Sequence, residues 1–311
     1  FKMITPTEVH DVMKKHTIGD GEHIIIDLKK SHGSYLVDAR TGKQYLDCAS
    51  QFASQALGWN HPKIVEKTQQ LGEIARHKVA NSDYYTLEIA EFVQAFADIT
   101  PDFRYHFFVE GGALAVENAL KAAFDWKAKK YERTGEFKKA FSWKNSYNDS
   151  WTNLLDVIHL RQAFHGRSGY TLSLTNTVPN KTALFPKFNW SRVENPKLRN
   201  GLRDDLDEKV STSQIEMILK RGRTAAIILE TIQGEGGDNH FSPEYMRELR
   251  ALADKYEAIL IFDEVQTGLG MTGKMWAYEH FDVIPDMICF GKKTQVCGFC
   301  STIRIDDIED N

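Results

Sequence analysis

The alternation of apolar and polar residues is clearest between residues 225 and 298, where three apolar runs each end in polar or glycine-rich residues. They read AIILETIQGEGG (226–237), ILIFDEVQTGLG (259–270) and FGKK (290–293). Between the first two runs, Ser242 suits a helix N-cap, Pro243 suits the first helical position, and apolar residues recur at helical spacing. Strand, helix and strand over this length predict a βαβ unit, and therefore a buried parallel sheet.

The rest of the chain supplies further elements of the same kind. Short helices are expected at 5–16, 62–79, 86–99 and 211–220, with a long helix after Gly112. Strands are expected at 23–28, 34–38, 44–47, 105–109, 154–160 and 301–305. The pattern predicts an α/β fold with a mostly parallel central sheet, flanking helices and part of a smaller α+β domain. Residues 1–55 are assigned to that smaller domain and residues 56–311 to the large domain.

Composition narrows the functional classes. The chain has 311 residues, of which 42% are hydrophobic and 26% charged, with a net charge of −4, which is typical of a globular protein. No basic cluster favours nucleic acid, and no apolar run has membrane-spanning length or the character of a signal peptide. Four cysteines with one C-x-x-C pair, Cys297 and Cys300, favour a reducing cytoplasm and predict no metal site.

Polar residues collect where the predicted parallel strands end, the edge at which α/β sheets bind ligands. They are Glu230, Glu235, Asp263, Gln266 and either Lys292 or Lys293. Pyridoxal phosphate needs a lysine amine for its aldehyde and a carboxylate for its ring nitrogen. Asp263 is the expected carboxylate, Val265 would face the ring and Gln266 would bond the phenolic oxygen. The other interpretation is that these are solvated residues at strand ends.

Two further stretches complete this hypothesis. Gly112 and Ala113 follow a strand and open a helix, where small residues let a phosphate approach backbone N–H groups. Phe164 follows another strand and could stack on a flat ring, while Arg167 could hold a substrate carboxylate. From spacing alone, Phe164 as a core residue and Arg167 as a surface residue are equally good interpretations.

The signature LIFDEVQTGLGMTGKMWAYEHFDVIPDMICFGKK (260–293) resembles that of the class III (omega) aminotransferases, which are fold-type I pyridoxal phosphate enzymes. Supporting similarities are GSYLVD (33–38), YLD (45–47), LGWNHP (57–62), FHGR (164–167) and QGEGG (233–237). The resemblance covers nearly the whole chain.

The resemblance implies a role for each matching residue. Lys292 matches the Schiff-base lysine, and Asp263 matches the partner of the pyridine nitrogen. The other cofactor-binding residues implied are Gly112, Ala113, Phe164, Val265 and Gln266. Arg167 matches the residue that holds a substrate carboxylate, and Glu235 matches a switch residue that pairs with a second arginine. Glu230 matches the acid that opens its motif, although Thr231 stands where relatives usually have proline.

Residues 107–127, 163–177 and 290–298 are most similar to family members that act on lysine. The resemblance therefore implies transfer of the ε-amino group of L-lysine to 2-oxoglutarate, giving 2-aminoadipate 6-semialdehyde and glutamate. It also implies a homodimer with the active site at the subunit interface. Ornithine, 4-aminobutyrate and acetylornithine stay open as alternative donors, and an inactive truncated large domain stays open as a non-enzymatic alternative.

The two chain ends lead us to expect an incomplete chain. It begins at Phe1 and stops soon after the predicted strand at 301–305. By the same resemblance, the second arginine, part of the small domain and a threonine that reaches the partner subunit's cofactor phosphate would lie beyond residue 311.

Overall fold

The computed structural model describes residues 3–19, 21–81, 83–135 and 154–307. The chain divides into two compact units, Phe1–Thr86 and Leu87–Asn311. The assignment of residues 1–55 to a smaller domain stays a prediction.

The first unit contains a hairpin and short helices. A 3-10 turn at Pro6–Glu8 leads into α1 (Val9–His16), and β1 (Tyr35–Val37) pairs antiparallel with β2 (Gln44–Leu46). Then follow α2 (Ser50–Ala53), whose four residues all have positive φ, α3 (Pro62–Val65) and α4 (Thr68–Ala75).

Two predictions in this unit were wrong. The single helix expected at 62–79 is interrupted between α3 and α4, where Lys67 (φ −92°, ψ 5°) leaves helical geometry. The strand expected at 23–28 is reduced to one bridge between Ile26 and Asp38, because the Asp27 side chain accepts the N–H groups of Lys29 and Lys30 and turns the chain there.

The second unit is built on a seven-stranded sheet. Its helices are α5 (Leu87–Asp98), α6 (Gly112–Thr134), α7 (Gly169–Leu174), α8 (Asp205–Leu219) and α9 (Pro243–Lys255). Its strands are β3 (Tyr105–Val109), β4 (Asp156–Leu160), β5 (Arg192–Val193), β6 (Thr224–Glu230), β9 (Ile259–Asp263), β10 (Met287–Phe290) and β11 (Cys297–Ser301). The small hairpin of β7 (Ile232–Gln233) and β8 (Asn239–His240) follows β6.

The strand order is β3-β11-β10-β9-β6-β4-β5. The five strands from β10 to β5 run parallel, whereas β11 pairs antiparallel with both β10 and β3. The prediction of a mostly parallel sheet with flanking helices is confirmed. The strand expected at 301–305 was wrong, because β11 ends at Ser301 and Ile303–Asp307 forms a 3-10 helix. There, Arg304 turns to form ion pairs with Asp254 and Asp286 instead of extending the ladder.

Both faces of the sheet are covered by apolar residues, as parallel sheets require. Along β6, Ala226 and Ile228 pack into one hydrophobic cluster with α6, while Ile227 and Leu229 pack into another with α8 and α9. Helix α8 is longer than the expected 211–220 because the Asp204 side chain caps it by accepting two backbone N–H groups. The predicted cap of α9 is confirmed, since Ser242 accepts the N–H of Tyr245 at 3.0 Å.

The strand register brings the polar strand ends together. Glu230 on β6 lies opposite Asp263 on β9, and Asp263 lies opposite Cys289 on β10, two residues before Gly291. Side chains at these carboxyl ends therefore converge on one edge of the sheet. No helix in the described ranges combines the length and apolar character that crossing a membrane requires.

Candidate active site

A cavity of about 610 Å³ lies at the carboxyl ends of the parallel strands, beside the N-terminus of α6. Its lining contains every predicted site residue except Glu235. The lining residues are Gly112, Ala113, Phe164, His165, Gly166, Arg167, Ser168, Glu230, Ile232, Asp263, Val265, Gln266, Lys292 and Cys297.

The phosphate end of the predicted site is a turn with little room for side chains. Gly111 has φ 104°, and a Cβ on Gly112 would lie 2.9 Å from a methyl group of Val265. A Cβ on Gly166 would lie 2.6 Å from that of Ala113, so the loop after β4 packs directly on this turn. The first backbone N–H groups of the 23-residue α6 lie at this turn, and N–H groups at a helix N-terminus attract anions.

Asp263 lies at the bottom of the cavity with both carboxylate oxygens engaged. Oδ1 accepts the N–H of Val265 at 3.1 Å, and Oδ2 lies 2.7 Å from Nδ1 of His165. The Asp263 side chain is 6% exposed and the His165 side chain is fully buried. The carboxylate is therefore fixed in orientation.

His165 is a site residue that the sequence did not reveal. Its backbone N–H donates to Oγ1 of Thr175, which in turn donates to the carbonyl of Gly166. Burial by itself would lower the pKa of His165, but the hydrogen bond and charge of Asp263, with the charge of Glu230, raise it. The available signal was its place after β4, between the predicted Phe164 and Arg167.

Lys292 enters the cavity from the turn after β10. A Cβ on Gly291 would lie 2.8 Å from Sγ of Cys297, so a side chain at this position would crowd Cys297. Lys292 itself has φ 54°, a left-handed conformation that is costly for a residue with a side chain and is common at functional sites. Its Nζ donates to Oε1 of Gln266 at 3.0 Å. Burial lowers the pKa of Lys292, against the nearby negative charges of Asp263, Glu230 and Glu235.

The amine of the neighbouring Lys293 makes a different contact. Its Nζ donates to the backbone carbonyl of Gln266 at 2.6 Å, and Lys293 is not part of the cavity lining. Burial and the charge of Lys292 lower the pKa of Lys293 to about 8. The two lysines thus contact the same residue from different sides, but only Lys292 lines the cavity.

Phe164 and Arg167 also line the cavity. Phe164 is half-buried and its backbone N–H donates to Oε1 of Glu230 at 2.9 Å. Arg167 is exposed, and within the described ranges its guanidinium has no hydrogen-bond or ion-pair partner. An unpaired guanidinium at the rim of a cavity is available to a carboxylate ligand.

Glu235 lies outside the lining, held by residues that the sequence did not indicate. Its Oε1 accepts from Oγ1 of Thr177 at 2.6 Å and from Nζ of Lys181 at 2.7 Å. Lys181 also lies 5.8 Å from the centre of the Phe164 ring. Burial raises the pKa of Glu235, but these contacts and the charge of Arg167 outweigh it and lower that pKa. The segment around Lys181 has no periodic pattern, so its side chains could not be placed from sequence.

The comparisons with known proteins cover almost the whole chain. A family model described as "Aminotransferase class-III" matches residues 18–306. The L-lysine-epsilon aminotransferase of Mycobacterium tuberculosis is 47% identical over 99% of this chain and 68% of that protein. The L-lysine-epsilon aminotransferase of Amycolatopsis lactamdurans is 44% identical over 98% of this chain and 67% of that protein.

A solved structure shows the same fold. It is the lysine aminotransferase from M. tuberculosis in the internal aldimine form, which is 48% identical and superimposes with a TM-score of 0.90. The match covers 99% of this chain and 70% of that one. The α/β fold and the resemblance found in the sequence are confirmed, while the roles of the individual site residues remain proposals.

Proposed function

The chain is a member of the class III aminotransferase family, and we propose that it transfers the ε-amino group of L-lysine to 2-oxoglutarate with pyridoxal phosphate as cofactor. The products would be 2-aminoadipate 6-semialdehyde and glutamate. The observation that carries this proposal is that Lys292 and Asp263 line one cavity. The relatives at 44–47% identity, which are named for L-lysine, support lysine as the donor.

The residues present fit pyridoxal phosphate. The turn at Gly112 leaves space that a Cβ would fill, next to N–H groups suited to a phosphate. The buried carboxylate of Asp263 suits a protonated ring nitrogen, Phe164 and Val265 suit the two ring faces, and Gln266 suits the phenolic oxygen. We propose that Gly112, Ala113, Phe164, Asp263, Val265, Gln266 and Lys292 hold the cofactor.

When bound, the cofactor supplies an electron sink for the carbon that carries the transferred amino group. Lys292 would hold the cofactor through its amine, and that amine, when free, would accept a proton from Cε of the substrate lysine as general base. The lowered pKa of Lys292 increases the fraction of neutral amine available for this step. Asp263 would keep the ring nitrogen protonated, and His165 holds Asp263 in place.

The carboxylate end of each substrate needs a cation away from the reacting carbon. We propose that Arg167 binds the α-carboxylate of lysine and the distal carboxylate of 2-oxoglutarate, since its guanidinium is exposed at the cavity rim. Glu235, which accepts hydrogen bonds from Thr177 and Lys181, is the proposed switch residue. It would move when one substrate replaces the other.

Borohydride trapping tests the cofactor and its lysine. The 311-residue chain is mixed with pyridoxal phosphate, reduced, digested and mapped by mass spectrometry. We expect the label on Lys292. A label on Lys293 would move the assignment by one residue, and a chain that takes up no label would contradict the cofactor assignment for this chain.

A panel of amino donors tests the substrate. L-lysine, ornithine, 4-aminobutyrate and acetylornithine are each offered with 2-oxoglutarate, and glutamate is measured. We expect the highest kcat/KM with lysine. A higher value with another donor would favour the alternative reaction, whereas a labelled chain without turnover would favour an inactive large domain.

We further propose a cytoplasmic homodimer with the active site at the subunit interface. Met271 and Met275 lie on the loop after β9 and are 55% and 39% exposed, and we propose that a second copy covers these apolar side chains. Light scattering after size exclusion measures the assembly. A monomer at micromolar concentration would contradict this part of the proposal.

A further inference from the structure

Glu230, the last residue of β6, is a buried carboxylate in the cavity to which the proposed chemistry gives no role. It is 6% exposed. Its Oε1 accepts the N–H of Phe164 at 2.9 Å, and its Oε2 accepts the N–H of Gly234 at 3.3 Å. Each oxygen therefore holds a different loop, one after β4 and one after β7.

These two loops carry the residues proposed to recognise the substrate. Phe164 precedes Arg167 by three residues, and Gly234 immediately precedes Glu235. The loops also touch, because a Cβ on Gly236 would overlap the carbonyl oxygen of Gln162. The charge of Arg167 is close enough to lower the pKa of Glu235. Glu230 lies at the base of both loops.

We propose that Glu230 is a positioning residue that sets the spacing between Arg167 and Glu235, and so determines how the site holds the carboxylate end of its substrates. This inference deepens the proposed function and rests on the roles given there to Arg167 and Glu235. The position requires a carboxylate, because both of its oxygens accept hydrogen bonds. A glutamine of the same shape offers one acceptor and one donor, so it can hold only one of the two loops.

The charged groups that face Glu230 make this contact sensitive to pH. Asp263 approaches from β9, His165 from the loop after β4 and Lys292 from the turn after β10. Burial and the charge of Asp263 raise the pKa of Glu230 to about 7, against the charge of His165. Below that pH one carboxyl oxygen of Glu230 carries a proton and accepts a hydrogen bond poorly. The hydrogen bond to one of the two loops is then weaker.

Amide hydrogen exchange in Glu230→Gln tests the inference directly and needs no catalytic activity. The full 311-residue chain is measured with pyridoxal phosphate present. We expect the N–H of Phe164, of Gly234 or of both to exchange about 10-fold faster, since an N–H facing a donor loses its acceptor. Unchanged exchange at both positions would overturn the inference.

The matched control is Glu264→Gln. Glu264 is 1% exposed and also accepts two backbone N–H groups, those of Ala277 and Tyr278, both at 2.7 Å. The same chemical change should therefore accelerate exchange at Ala277 and Tyr278 and leave Phe164 and Gly234 protected. Faster exchange at all four positions in both variants would indicate general loosening and would overturn the specific role of Glu230.

A second measurement needs no variant, in case Glu230→Gln does not fold. Exchange of the wild-type chain is compared at pH 6 and pH 8 after correction for intrinsic rates. Protection of Phe164 or Gly234 should be lower at pH 6, where Glu230 is protonated. Protection that does not depend on pH would overturn the pH sensitivity of this contact, and the exchange of Phe164 and Gly234 in Glu230→Gln then decides the positioning role alone.

Steady-state kinetics separates this inference from the proposed function. In Glu230→Gln, we expect KM for lysine and 2-oxoglutarate to rise about 10-fold, with a smaller change in kcat, because substrate placement is altered and the reacting groups remain. Borohydride label on Lys292 should be retained. A wild-type chain that takes no label contradicts the proposed function and leaves the exchange result valid, whereas an active Glu230→Gln with unchanged KM overturns only this inference.

Discussion

Nδ1 of His165 lies 2.7 Å from Oδ2 of Asp263, and both side chains are buried at the bottom of the cavity. The other carboxylate oxygen is held by the N–H of Val265. The carboxylate proposed to meet the cofactor ring nitrogen is thus fixed from two sides. Its orientation depends on a histidine from the loop after β4, 98 residues earlier in the chain.

Replacing His165 should weaken cofactor binding. In His165→Phe, Oδ2 of Asp263 loses a charge-assisted hydrogen bond worth about 1.5–3 kcal/mol, so the Kd for pyridoxal phosphate should rise about 10-fold or more. Absorbance titration measures the Kd. The control is His106→Phe, since His106 on β3 bonds Thr100 and is not part of the cavity lining. Equal affinities in the two variants would contradict the role of His165.

Removing Lys292 should not transfer the label to its neighbour. In Lys292→Met, we expect no borohydride label at Lys293, because the Lys293 amine is bonded to the backbone carbonyl of Gln266 and is not part of the cavity lining. In the matched variant Lys293→Met, the label should stay on Lys292. Peptide mapping measures both. A label on Lys293 in the first variant would show that the two amines are interchangeable.

Arg167 should act on substrate binding and not on the cofactor. In Arg167→Met, the substrate carboxylate loses a bidentate partner worth several kcal/mol, so KM for 2-oxoglutarate should rise about 30-fold or more. The label on Lys292 should be unchanged. The control is Arg161→Met, which removes an exposed guanidinium paired with Glu194. A similar KM in both variants would remove Arg167 from substrate binding.

The positions that sequence predicted are those that follow from regular structure. Asp263, Gln266 and Lys292 could be grouped because parallel strands end at the same edge of a sheet, and the register confirms that edge. Which of two adjacent lysines enters the cavity could not be decided by spacing. That choice depends on the left-handed conformation of Lys292 and on the lack of space beside Gly291.

The contacts that sequence missed join distant and irregular segments. His165 reaches Asp263 across the sheet, and Lys181 reaches Glu235 from a segment without periodicity. The local sequence around His165 and Lys181 does not indicate these contacts, since a histidine or a lysine in a loop is usually exposed. The interruption of the helix expected at 62–79 was also missed, because helix propensity does not determine where a helix breaks.

Lys181 should influence how freely Arg167 meets its substrate. Lys181→Met removes the ammonium group that lies 2.7 Å from Oε1 of Glu235. The Glu235 carboxylate is then attracted by the charge of Arg167, so it should compete with the substrate carboxylate for Arg167. We expect KM for 2-oxoglutarate to rise about 3-fold or more while stability changes by less than about 1 kcal/mol, as for other surface ion pairs. Steady-state kinetics and urea unfolding measure the two. Lys187→Met, which removes a contact to the carbonyl of Thr182, is the control and should leave KM unchanged.

Glu264 should make stability depend on pH. Burial raises its pKa from 4.5 to about 7, although it accepts N–H groups of Ala277 and Tyr278. A raised folded-state pKa gives stability that is fully present below pH 4.5 and is lost as the pH rises through about 7. At about 1.4 kcal/mol per pKa unit, the unfolding free energy of the wild type relative to Glu264→Gln should fall by about 3 kcal/mol over this window.

Urea unfolding at pH 4.5, 6 and 7.5 measures the difference. A difference that is the same at all three pH values would show that folding does not change the pKa of the Glu264 carboxyl.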